Sequence, residues 1–145
     1  MIDLLKKQKE IEFIINKCID VSKKTEAFFF KTINIKTAED ANILSVSGNF
    51  IRSEIDNAIE HSENYLSTLK DTENDKLTAE IIKQQILIMT NKKIYLERIL
   101  AKLKNLVNTK QESDKLDVEL FKNNLINAVY QENILQNSNK SKDIN

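Results

Sequence analysis

The sequence predicts an all-α protein, an elongated up-down bundle of about four helices with coiled-coil-like packing. Two observations carry this expectation. Pro is absent and Gly occurs once, at Gly48. Every hairpin of a sheet protein needs turn residues, whereas both residue types penalise helix interiors. Apolar residues also recur at spacings of three and four along most of the chain, the period of one helix face.

The first helix is predicted over residues 3–30, with Asp3 as its cap. Its apolar stripe is Leu4, Ile11, Ile14, Cys18, Val21 and Phe28, widened by Ile15 and Ile19. The connector 31–36 alternates polar and apolar side chains, as a short strand or a loop tucked onto the bundle would. Thr37 reads as the next N-cap, with Glu39 and Asp40 in the first turn where the helix dipole favours anions.

The second helix is predicted over residues 37–70. Its seam is Ala41, Leu44, Gly48, Ile51, Ile55, Ala58, Ser62, Tyr65 and Leu69, an unbroken alternation of three and four. That is a coiled-coil seam. Four of its nine members are small, so a neighbouring helix can come close.

Residues 71–75 form a polar break with Thr72 or Asn74 as cap, and the third helix is predicted over 76–107. One stripe runs through Ile82, Ile86, Met89, Leu96, Leu100, Leu103 and Val107. A second runs through Ile81, Ile88, Tyr95, Ile99 and Leu106. The run Ile86-Leu87-Ile88-Met89 is apolar nearly all round, which places this helix centrally. A fourth helix is predicted over 114–136, carrying Val118, Phe121, Leu125, Ala128, Val129 and Leu135. Residues 1–136 then make one helical-bundle domain. The polar tail 137–145 is expected to be disordered.

Lys+Arg and Asp+Glu number 22 each, so the net charge is zero and no global field favours nucleic acid or an anionic membrane. The local balance is uneven. Residues 1–36 hold eight cations and five anions, net +3; 37–75 hold two and nine, net −7. Residues 76–110 hold eight and two, net +6; 111–145 hold four and six, net −2. The sign alternates helix by helix, so sequential antiparallel neighbours attract. Surface pairs contribute only ~0–1 kcal/mol each, so the pattern selects neighbours and register more than it stabilises.

Most chemistries are poorly supplied. The single His61 has Ala58 rather than Glu three residues before it, so a Glu-x-x-His di-iron motif is absent. One His and one Cys do not make a zinc site. Cys18 lies on an apolar stripe and reads as an inert small hydrophobe. A single Gly rules out a Gly-rich phosphate loop. The carboxylates of the second helix read as a solvated face. The basic third helix carries one interleaved aromatic, Tyr95, and reads as the partner of the acidic second helix rather than a nucleic-acid surface. No enzyme activity, cofactor or metal is therefore expected. The lone cysteine fits a reducing compartment, and neither a signal peptide nor a membrane-inserted helix is evident, so the expected location is cytoplasmic.

What remains is protein–protein interaction. Three consecutive aromatics, Phe28, Phe29 and Phe30, point ~100° apart on a helix, so at most two can face one core. The third must be covered by Ile33 and Ile35 of the connector, by another subunit or by a partner. Phe28, Phe29, Phe30, Ile33 and Ile35 are the candidate partner-binding residues. The expected role is an adaptor, secretion-type chaperone or assembly subunit, with self-association as the alternative reading. In size, neutrality and helix content the chain resembles the small helical export chaperones of bacterial flagellar and type III systems, an analogy of architecture without a shared motif.

Overall fold

The computed structural model describes residues 2–108, residue 120 and residues 122–127. Three long helices appear in order, α1 (Ile2–Ile33), α2 (Ala38–Leu66) and α3 (Glu73–Asn108). Residues 122–127 are also helical, and no strand occurs among the described residues. The architecture is all-α, as the composition predicts. The rest of the predicted fourth helix, including Val118, Phe121, Ala128, Val129 and Leu135, lies outside the described residues, as does the tail 137–145.

Cross-helix contacts fix the directions. Lys7 meets Asp75, Cys18 meets Gln85, Lys92 meets Glu26, and Phe29 meets Tyr95, so α1 and α3 run parallel. Glu10 meets His61 and Lys24 meets Glu54, so α2 runs antiparallel to α1. Lys93 on Asp56, together with Leu100 against Gly48, sets the same relation between α3 and α2. Each helix packs on both others. The core at their common axis includes Val21, Phe28, Ile55, Met89, Leu96 and Leu103. At 1.5 Å per residue the helices are roughly 44–54 Å long.

The second helix follows its predicted seam. Ala41, Gly48, Ile51, Ile55, Ala58 and Ser62 are buried and Leu44 and Tyr65 are half-buried, while Leu69 lies beyond the helix end. On α1, Ile14, Cys18, Val21 and Phe28 are buried as expected. Leu4, placed on that stripe by its spacing, is instead 64% exposed, because it lies where the bundle begins. On α3, Ile82, Met89, Leu96, Leu100 and Leu103 of the first stripe are buried, while Ile86 is half-buried. The second stripe is buried only toward the C-terminus, at Ile99 and Leu106; Ile81 and Ile88 are each 41% exposed. Leu125 of the 122–127 segment is buried in the same core, and Lys102 Nζ donates to the Asn124 carbonyl.

Element ends differ from expectation for local reasons. The first helix runs past Phe30 to Ile33, since Thr32 is buried and its hydroxyl donates back to the Phe28 carbonyl. Two turn hydrogen bonds, Asn34 N to Lys31 O and Ile35 N to Thr32 O, then close the connector, which is a turn rather than a strand. Thr37 caps α2 as predicted, in a reciprocal capping box with Asp40. The second helix stops at Leu66, four residues short of the predicted end. There the Ser67 and Thr68 hydroxyls donate to the Asn64 and Tyr65 carbonyls, giving the backbone an alternative to continued helix. The third begins at Glu73, three residues early, because Thr72 accepts from the Asp75 amide as an N-cap does.

Opposite charge does bridge the sequential neighbours. From one side Lys24 reaches Glu54 at 2.7 Å, and from the other Lys93 reaches Asp56 at 2.6 Å, so the acidic α2 is held by both basic helices.

Candidate functional site

The five candidate residues separate into two groups. Phe28 and Ile35 are 2% and 3% exposed and belong to the core, so neither is available to a partner and both are withdrawn from the partner-binding set. Phe28 reaches α2 across the only glycine. Ile35 is folded inward by the connector turn. Phe29 is half-buried, with its ring 5.9 Å from that of Tyr95 on α3. Ile33 is also half-buried. Phe30 is 60% exposed, and its ring sits 5.9 Å from Phe29.

The connector therefore does not cover the third aromatic. The result is a braced corner: Tyr95 supports Phe29, and Phe29 supports Phe30. Tyr95 is held neutral, since burial and then the nearby Glu26 carboxylate raise its phenol pKa. The corner thus presents aromatic faces and one uncharged hydroxyl, with the Glu26–Lys92 ion pair nearby.

Groups with chemical potential are occupied structurally. Cys18 is buried, with its thiol near the Gln85 carbonyl at 3.8 Å. Burial pushes the thiol pKa up, against the activation a nucleophile needs. His61 pairs with Glu10 at 2.5 Å and its ring packs 5.0 Å from Phe13, both on α1. Among the described residues, no three His, Cys, Asp or Glu side chains cluster to hold a metal ion. Of the α2 carboxylates, Asp40 caps its own helix, while Glu54 and Asp56 pair with lysines. On α3, Lys92 and Lys93 pair with Glu26 and Asp56.

A second apolar surface went unread in the sequence. Ile43, Val46 and Phe50 are 66%, 71% and 68% exposed on the outward face of α2. The signal was present as a second alternation of three and four, displaced by two residues from the core seam. It runs through Glu39, Ile43, Val46, Phe50, Ser53, Asn57 and Glu60, all exposed. The unbroken core seam masked it.

Among the described residues, no helix is long and apolar enough to cross a membrane. No family model, curated protein or solved structure matches this chain.

Proposed function

We propose that this chain is a non-enzymatic protein–protein interaction module of the adaptor, secretion-type chaperone or assembly-subunit kind. In this reading it captures an apolar segment of another protein at the α1–α3 corner. The observation that carries it is Phe30, a 60% exposed ring braced by Phe29 on Tyr95. A large ring held by its neighbours loses little side-chain freedom on binding, and aromatics of this kind dominate interface hot spots. Ile33 on the next turn extends the apolar footprint. The setting proposed is the cytoplasm, supported by a single cysteine kept as a free thiol.

The test is capture of partners from native cells by tagged full-length chain, wild type against Phe30→Ala, read by mass spectrometry. A stoichiometric partner lost with Phe30→Ala at an unchanged melting temperature is expected. An identical partner set for both proteins would sink the reading. Self-association, the second reading, has separate support in the outward face of α2.

A further inference from the structure

The chain is 30% charged, yet residues 41–51 contain no charged side chain. Within that window α2 turns Ala41, Gly48 and Ile51 to the core and Ile43, Val46 and Phe50 to the outside. We propose that this outward seam is the interface for a second copy of the same chain, packed as an antiparallel two-fold helix pair.

Three features of the seam select this occupant. The first is its period. Ile43, Val46 and Phe50 are spaced three and four apart, the spacing at which two helices mesh knobs into holes. The second is its neutrality. Residues 38–66 carry six anions and one cation, so two copies of α2 repel outside this charge-free window.

The third is register. In an antiparallel pair of identical helices, facing residue numbers add to a constant. If Val46 faces Phe50 of the second copy, Ile43 faces Ser53 and Glu39 faces Asn57. Both copies then bury an apolar centre of two Val46 and two Phe50 side chains. Each end is closed by the Asn57 amide opposite the Glu39 carboxylate. Sliding one heptad either way sets Glu39 against Phe50 or Ile43 against Glu60, twice each by symmetry. Keeping the carboxylates off the apolar centre therefore picks one register. The three apolar side chains offer roughly 300–400 Å² per copy. Two copies fall in the small, transient interface class below about 1,200 Å². The dimer is therefore weak and concentration-dependent, and it uses a different face from the Phe30 corner, so either proposal can fail without the other.

Sedimentation equilibrium of the full chain from ~10 µM to ~1 mM reads the mass directly. Doubling of the mass toward the upper end is expected, within the affinity range of weak interfaces. Phe50→Asp should return the chain to monomer with an unchanged helical circular dichroism signal, since Phe50 is 68% exposed and lies outside the core. Register is read by oxidising a mixture of Ile43→Cys and Ser53→Cys proteins. A mixed disulfide should form in large excess over either homodisulfide, because like positions lie about ten residues, ~15 Å, apart along the pair. Monomer mass throughout, a dimer indifferent to Phe50→Asp, or failure of the mixed disulfide to predominate would each overturn the proposal. A monomer that loses a captured foreign protein on Phe50→Asp would reassign the seam to that protein.

Discussion

Gly48 of α2 lies directly under the Phe28 ring of α1. A Cβ built at Gly48 would come 2.7 Å from Phe28 Cζ, and 2.6 Å from Leu100 Cδ2 of α3 on the other side. The missing side chain is what lets three helices meet at one level. Gly48→Ala gains helix propensity of roughly 0.5–1 kcal/mol. It must also push apart two side chains that are 2% and 8% exposed, and overpacking of this kind costs roughly 1–3 kcal/mol. The clash wins, and a net loss of about 1 kcal/mol is expected by chemical denaturation. In a double-mutant cycle with Leu100→Ala the two losses should be clearly less than additive. A stabilised Gly48→Ala protein would show that Phe28 and Leu100 yield freely.

The core seam of α2 gives a sharper test. Ile55 is fully buried and Ile51 is 8% exposed. Aspartate at either site places a carboxylate among apolar side chains, at a cost of several kcal/mol without a partner. Against a typical total of 5–15 kcal/mol, both variants should be largely unfolded at 25 °C by circular dichroism. If Ile51→Asp and Ile55→Asp melted like the parent, the register of α2 would be wrong.

Much of this fold was readable because the core seam of α2 keeps one period throughout and the first stripe of α3 departs from it only at Lys93. Where reading failed, polar side chains occupied core positions. Thr25 and Thr32 are fully buried, filling the α1 stripe between Val21, Phe28 and Ile35 at spacings of three and four. Each hydroxyl is satisfied within the helix, by the Val21 and Phe28 carbonyls. A buried hydroxyl with a local acceptor costs little. Residue type therefore hid what spacing would have shown, and with it the extension of α1 through the first half of the connector. The partner-binding set suffered in the opposite direction. Composition marked Phe28–Phe30 as unusual, but only the three-dimensional packing assigns one ring to the core and leaves another outside. The outward seam of Ile43, Val46 and Phe50 was hidden because one helix carried two interleaved periods.

Asp75 joins the α2–α3 turn to α1. Its carboxylate is almost buried, pairs with Lys7 and accepts from the Lys70 amide at 2.7 Å. The Lys7 ammonium first, and that amide second, hold its pKa below the ordinary value of 3.8. A carboxylate with a depressed folded pKa contributes stability that is complete above its unfolded pKa and is lost as pH falls through the folded value. Asp75→Asn keeps an acceptor for Lys70 but loses the charge for Lys7. The variant should therefore melt below the wild type at pH 7. The gap should shrink as pH falls below ~4 and vanish once Asp75 is protonated in both states. A gap independent of pH between 2 and 7 would assign the effect to packing instead of charge.

Phe29 and Phe30 are adjacent in sequence but should respond differently to truncation. Phe29 is half-buried between Phe30 and Tyr95, so Phe29→Ala removes part of a packed ring. Full burial of Phe would put the loss at ~3–5 kcal/mol, and half-burial brings it to roughly 1–3 kcal/mol. Phe30 is 60% exposed, and exposed substitutions of this kind usually stay within about 0.5 kcal/mol. Thermal melts should therefore drop by several degrees for Phe29→Ala and barely move for Phe30→Ala. The asymmetry bears on function because it separates a bracing ring from the ring it presents. Equal destabilisation by the two variants would mean that Phe30 is packed in solution, and the corner would then lack the exposed anchor on which partner capture depends.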